Sequence, residues 1–249
     1  MNRTLLITGG SRGIGAATAR LAAAAGWDVA INYARDAAAA QAVAAEVRAA
    51  GRRALVIQAD VGVEADVLAM FATLDAQWGP GLAGLVSNAG VVDVASRVDA
   101  MGADRLQRMF AINVFGTVWC AREAVRRMST AHGGSGGTIV NLSSAAARLG
   151  SPGQYVDYAA AKGAVDVFTL GLAREVAAEG IRVNAVRPGI IATEIHASGG
   201  QPDRAAQLAP GVPMQRAGTA DEVAQAIVWL LGADSSYTTG SVVDVTGGR

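Results

Sequence analysis

Lysine occurs once in this 249-residue chain, at Lys162, and the other 20 of the 21 Lys and Arg residues are arginine. Lys162 stands four residues after Tyr158 in "YAAAK". On a helix that spacing puts a phenol and an ammonium on one face. A free phenol titrates near pH 10, too high for efficient proton exchange at neutrality. An ammonium beside it favours the phenolate and is expected to lower that value. Ala159, Ala160 and Ala161 keep the turn helical and leave room for a ligand to lie against it. The pair therefore predicts acid–base chemistry centred on Tyr158. Two hydroxyls, Ser143 and Ser144, close the run "TIVNLSS" and could orient a reacting oxygen. Alone, either would cap the turn that follows, and only geometry separates them.

A second constellation is "TLLITGGSRGIGAATARLAA", which reads as strand, glycine-rich turn and helix. Gly9, Gly13 and Gly15, with Ser11, Arg12 and Ile14 between them, let the backbone approach a pyrophosphate. Such a group would sit on the free N–H donors and positive end of the helix opening near Gly13. The spacing is not G-x-G-x-x-G, and no Lys-Ser/Thr pair follows as in a nucleoside-triphosphate loop.

Seven strand-like runs position these groups: "TLLIT", "DVAIN", "ALVIQ", "GLVSN", "TIVNLS", "IRVNAV" and "SVVDV". Helical stretches lie between most of them, at about 13–25, 37–49, 64–77, 103–128, 155–178 and 220–231. Alternation of this kind predicts one doubly wound α/β domain over 1–249, a parallel sheet covered on both faces. The glycine-rich "HGGSGG" is read as a surface loop because the alternation resumes after it. Between about 190 and 219 the alternation lapses, and Gly199, Gly200, Pro202, Pro210, Gly211 and Pro213 fall there. A long irregular excursion beside a regular sheet predicts a substrate loop.

Composition narrows the function classes. Acidic and basic residues balance at 21 each, which gives no electrostatic footprint for nucleic acid or an anionic membrane. With one cysteine, Cys120, and two histidines, His132 and His196, neither a disulfide framework nor a His/Cys metal cluster is expected. Both histidines read as loop residues, not catalytic bases. No apolar run approaches the ~18 residues of a membrane span, and no signal-peptide pattern precedes Thr4. A soluble, unprocessed, cytoplasmic protein is the expectation.

TGGSRGIG, "ADV" at 59–61, "SNAG" at 87–90, "NVFG" at 113–116, "NLSS" at 141–144, "YAAAK" and "RPGIIAT" at 187–193 together resemble the short-chain dehydrogenase/reductase family over essentially the whole chain. The resemblance implies a Rossmann-type sheet, a nicotinamide cofactor, and hydride transfer to or from an alcohol or carbonyl carbon. It also implies that Tyr158 donates or accepts the proton and that Ser144 holds the substrate oxygen. Asn113 then helps keep a water beside Lys162. Lys162 itself would bond ribose hydroxyls while facing the phenol, a task for which an arginine fork is a poor substitute. Cofactor contacts fall on Asp60 and Val61 at the adenine, and on Asn88, Ala89 and Gly90 along the ribose side. Pro188, Gly189, Ile191 and Thr193 fall at the nicotinamide amide. Asp60 has a structural reading too, in the N-cap region of the third helix. Ser87 replaces a frequent asparagine and changes little.

Val91, Val92, Val94, Leu149, Val156, Ile190, Ile195 and Met214 are expected near the pocket mouth, a lining that suits a ketone better than a phosphorylated sugar. The nearest likenesses are 3-oxoacyl-carrier-protein reductases and glucose-dehydrogenase-like members. Glu179, ending the helix after YAAAK, argues against docking of an acidic carrier, although Arg126, Arg127 and Arg174 remain candidate contacts. A non-catalytic dinucleotide sensor could keep the fold but would have little use for the Ser, Tyr and Lys set. Helices apolar on more than one face, 155–178 and "AQAIVWLLG", predict a homotetramer, as the resemblance also implies.

The second strand bears on which dinucleotide is taken. A site selecting NAD places a carboxylate about 20 residues after the glycine turn, on the ribose 2′-hydroxyl. Here that position falls on Tyr33, followed by Ala34 and Arg35. Arg35 and Arg12 are ready ligands for a 2′-phosphate, so NADP is expected, with NAD still possible. Asp36 reads as the N-cap of the alanine-rich helix starting at Ala37.

Overall fold

The computed structural model describes residues 3–249, apart from the side chains of His196 and Ser198. The reading of His196 as a loop residue and not a base therefore lies outside the described side chains. Seven strands form a single parallel sheet: β1 (Arg3–Ile7), β2 (Trp27–Tyr33), β3 (Ala54–Gln58), β4 (Leu82–Ser87), β5 (Gly137–Leu142), β6 (Ile181–Pro188) and β7 (Val242–Val245). Their order is β3-β2-β1-β4-β5-β6-β7. Period-two alternation divides the apolar side chains between two cores. Leu5, Ile7, Val29 and Ile31 enter one, and Leu6 and Ala30 the other. Both faces are thus buried, which is why the strands read as continuous apolar runs instead of alternating with polar residues.

Helices α1 (Gly13–Ala24), α2 (Ala37–Ala49) and α10 (Ala220–Leu231) cover the first face. On the second lie α3 (Glu64–Trp78), α5 (Gly116–Met128) and α7 (Val156–Val176). Local chemistry sets several starts. The Asp36 carboxylate accepts from the Ala39 amide at 2.9 Å, so the cap expected for α2 is formed. Thr219 and Glu222 make a reciprocal capping box at α10. The stretch 103–128, expected as one helical region, is α4 (Ala103–Phe110) and α5 joined by a π-helical turn at Ala111–Phe115. Turns of that kind loosen the backbone ladder, and Asn113 lies in this one.

The chain leaves β1 toward β2 and β3 on one side and continues through β4 to β7 on the other. This reversal opens a crevice beyond the carboxyl ends of β1 and β4, where ligands of such sheets bind. A short helix, α6 (Ala146–Leu149), lies between β5 and α7, and the irregular excursion after β6 holds the short helices α8 (Ile195–Ser198) and α9 (Arg204–Leu208). Its two ends are tied together by an Ile191–Gly218 bridge, with Gly218 N donating to Ile190 O at 2.9 Å. Among the described residues no helix is long and apolar enough to cross a membrane, and no group of three His, Cys, Asp or Glu could hold a metal ion.

Candidate active site

A cavity of about 610 Å³ runs along the carboxyl ends of the strands. The glycine turn forms one wall. Gly9 has φ +61° and Gly13 φ +52°, conformations that favour residues without a Cβ. Gly9, Ser11, Arg12, Gly13 and Ile14 line the cavity, whereas Gly15 does not. A Cβ on Gly15 would lie 2.4 Å from the Gly9 carbonyl oxygen, so this glycine allows close packing behind the wall. The turn is held from outside. The Asn88 side-chain amide donates to Thr8 O and Gly9 O at 2.9 Å each, while Thr8 Oγ1 accepts from the Asn88 and Ala89 amides at 3.0 Å. From β2, Asn32 Oδ1 accepts from Gly9 N at 3.1 Å, and its Nδ2 donates to Ala59 O at 3.0 Å. Thr8 and Asn32 were not foreseen from the sequence. The available signal was a polar residue at the carboxyl end of an otherwise apolar strand.

Asp60, Val61, Asn88, Ala89, Gly90, Pro188, Gly189, Ile191 and Thr193 line the cavity. The Asp60 carboxylate accepts from Gly62 N at 2.9 Å, forming a tight turn, whereas the cap of α3 is Val63. The helix-cap reading of Asp60 is thereby corrected to a turn before the helix. Tyr33, Arg35 and Asp36 stand at the rim, and both Arg12 and Arg35 are exposed and in no ion pair among the described residues.

Opposite the glycine turn, Ser144, Tyr158 and Lys162 meet. The Ser144 hydroxyl lies close enough to the Tyr158 phenol to favour its ionised form, and Ser144 Oγ accepts from Ala146 N at 3.1 Å. Ser143 is 3% exposed and its hydroxyl donates to the Lys162 carbonyl, so of the two hydroxyls Ser144 is the one beside the phenol. Lys162, also 3% exposed, donates from Nζ to Leu142 O at 2.7 Å and stands 5.7 Å from the Tyr158 ring centroid.

The expected lowering of the phenol by the ammonium is not what the site produces. Burial pushes Tyr158 up to about 12, opposed by the Ser144 hydrogen bond. Burial likewise lowers Lys162 to about 8, with the Asp166 charge opposing. Removing both groups from water penalises their charged forms, and this outweighs what the ammonium does for the phenolate. At neutral pH the pair is a protonated phenol beside a protonated amine held at low proton affinity.

Asn113 is fully buried and does not line the cavity; it stands directly behind Gly90, where an added Cβ would be 2.8 Å from Asn113 Oδ1 and 3.6 Å from Lys162 Nζ. Its Nδ2 donates to Val91 O and Met109 O at 3.0 Å, and Oδ1 accepts from Val91 N at 3.2 Å. One donation fixes the loop after β4, the other goes back to α4, and one Oδ1 lone pair remains.

Of the expected mouth residues, Val91, Val92, Leu149, Ile190 and Ile195 line the cavity. Val94 and Met214 are instead exposed, at 62% and 59%, and Val156 lies outside the lining. The mouth also carries more charge than expected, with Arg108, Glu194 and Arg204 in its walls. His132 is exposed and remote from the lining. The candidate carrier contacts divide. Arg127 is paired with Asp75 and Glu123 and packed over Phe71, and Arg126 is paired with Glu123, whereas Arg174 is exposed.

A crevice at the sheet's point of reversal, a glycine turn at a helix start and a Ser-Tyr-Lys cluster across from it are the features of an oxidoreductase site on a doubly wound sheet. Comparison with known proteins agrees. A family model described as enoyl-(acyl carrier protein) reductase matches residues 9–249. The chain is 55% identical over 244 residues to the uncharacterized oxidoreductase YgfF of Escherichia coli, covering 98% of each chain. It is 34% identical to the 3-oxoacyl-[acyl-carrier-protein] reductase FabG of Staphylococcus aureus, covering 100% of this chain and 98% of that one. A Burkholderia cenocepacia short-chain dehydrogenase solved in complex with NADP superposes with a TM-score of 0.89 at 34% identity, over 99% of this chain and 97% of that one. The protein belongs to the short-chain dehydrogenase/reductase family of oxidoreductases.

Proposed function

We propose that the protein is an NADP(H)-dependent oxidoreductase that interconverts a ketone and a secondary alcohol, with Tyr158 as the acid and base. The observation that carries this is the convergence of Ser144, Tyr158 and Lys162 on the cavity whose other wall is the glycine turn. The residues present fit a dinucleotide. The first turn of α1 offers free amide donors, and Gly9 and Gly13 keep that wall bare of side chains. Arg12 and Arg35 stand at the rim where a 2′-phosphate would lie, Tyr33 replaces the carboxylate that would repel it, and Asp36 is engaged as a helix cap. The bound cofactor supplies or accepts the hydride.

The chain's own residues do the rest. Ser144 Oγ, already beside the phenol, orients the carbonyl oxygen, and Tyr158 gives it a proton as the hydride arrives on carbon. Lys162, anchored on Leu142 O, places positive charge against the phenolate left behind and offers donors to ribose hydroxyls. The spare lone pair of Asn113 can hold a water that returns the proton, while its amide fixes the Val91 loop. The segment 190–219 closes over the substrate as a lid tied at Ile191 and Gly218.

A panel of ketones and alcohols with NADPH and NADH, followed by nicotinamide absorbance, tests the reading. The expected result is turnover with NADPH preferred in kcat/KM, and a preference that shrinks in Arg35→Ala and Arg12→Ala. An NADH preference, or one unmoved by both variants, refutes the cofactor assignment, and absence of turnover across the panel favours a non-catalytic dinucleotide sensor. A carrier-bound acyl substrate is disfavoured by the engagement of Arg126 and Arg127 in ion pairs.

A further inference from the structure

Arg204 is the first residue of α9, and its guanidinium forms part of the cavity wall. Nη1 donates to Gln201 Oε1 at 2.8 Å and Nη2 to Gln154 Oε1 at 2.7 Å, both neutral acceptors. The group also lies over the ring of Tyr155, 5.1 Å from its centroid, and Tyr155 is itself 6% exposed. Among the described residues no carboxylate is within ion-pair distance of Arg204. The other charges of the mouth are placed differently. Arg108 faces Asp93 at 3.6 Å, and the Glu194 carboxylate lies at the glycine turn, 3.5 Å from where a Cβ of Gly13 would be. A half-buried cation in the cavity lining, held by two amides and the Tyr155 face yet lacking a counter-charge, is poised for an anion from outside.

We propose, on the basis of the reductase reading above, that Arg204 selects carbonyl substrates carrying a carboxylate a few bonds from the reacting carbon. Tyr155, the residue that caps α7, precedes Tyr158 by three positions, so both rings belong to the start of this helix. Arg204 lies over the first ring while the carbonyl oxygen meets the second. The Arg204 guanidinium carries one positive charge and matches a planar carboxylate with two parallel hydrogen bonds.

The test compares linear keto acids, acetoacetate, 4-oxopentanoate and 5-oxohexanoate, with their methyl esters, using NADPH and the full-length wild type, Arg204→Gln and Arg204→Lys. For the best chain length the wild type is expected to favour the acid over its ester at least tenfold in kcat/KM. Arg204→Gln collapses that ratio by tenfold or more, chiefly through KM, and Arg204→Lys recovers part of it. A purely structural tie between α9 and Gln154 would lower acid and ester alike, so an unchanged ratio in Arg204→Gln overturns the proposal. Esters reduced as well as acids by the wild type would also overturn it while leaving the reductase reading intact. Failure of every ketone in both forms would remove the reductase reading and this one with it.

Discussion

At the residue scale the most consequential group is Lys162, because the site holds its charge at a cost. With its proton affinity lowered to about 8 by burial, the folded protein binds fewer protons than the unfolded chain between about pH 8 and 10.5. Stability therefore rises with pH through that window, and at neutral pH the buried ammonium costs roughly 3 kcal/mol. Lys162→Met is expected to be more stable than the wild type at pH 7, by up to that amount, with the gap closing toward pH 10; urea titrations at both pH values check it. Tyr158, pushed up to about 12, contributes nothing below pH 10 and lowers stability above it, so the two effects are separable. On the proposed mechanism, a pH–rate profile is expected to show the reductive rate falling as Lys162 loses its charge through about pH 8, with Tyr158 protonated throughout. Tyr158→Phe is expected to abolish that rate with cofactor affinity nearly unchanged, and Ser144→Ala is expected to cost far more than Ser143→Ala. The reverse ranking of the serines in steady-state kinetics would reassign the orienting hydroxyl. The Tyr-Lys pair was legible because a lone lysine at helical spacing needs only local geometry to interpret. The sign of the phenol's shift was not legible, since it depends on burial supplied by distant segments.

Between elements, the start of α7 is fixed by a buried ion pair. Arg105 of α4 donates from Nε to Asp157 at 2.8 Å, and the two side chains are 13% and 1% exposed. Arg105 also reaches the Val94 carbonyl, so one guanidinium joins α4, α7 and the loop after β4. Removing one member of such a pair strands the other charge, at a cost of about 3–5 kcal/mol. Asp157→Ala is expected to lose that much in chemical denaturation, and a loss below about 1 kcal/mol would show that the pair is solvated. Strands and helices were largely legible from alternating apolar runs, and α2 was legible down to its Asp36 cap. The π-helical turn at Ala111–Phe115 was not, because no local pattern distinguishes "AINVF" from continuous helix. It is the tertiary demand on Asn113, to reach Val91 from inside a helix, that accompanies the irregularity. Gly15 is a similar case: a glycine's need for space is visible in sequence, but which neighbour requires it is not.

For the whole molecule, apolar side chains remain uncovered on two faces. Phe115, Val167 and Leu170 are exposed beside or along α5 and α7, and Trp229 on α10 is 44% exposed. Surfaces of this kind are covered by copies of the same chain in symmetric assemblies. We therefore predict a homotetramer, and light scattering that gives a monomer at micromolar concentration would contradict it.

The clamp between Thr8 and Asn88 joins residues 80 positions apart. The glycine turn is written within the first 15 residues, but two of its carbonyls find their donors only when the far end of β4 arrives. Emerging from a ribosome, the chain would carry the phosphate cradle's letters long before it could hold the cradle's shape. Closing so distant a contact is slow relative to local helix formation. The nascent protein accordingly acquires its affinity for a dinucleotide as a late event, after the sheet has grown past its point of reversal.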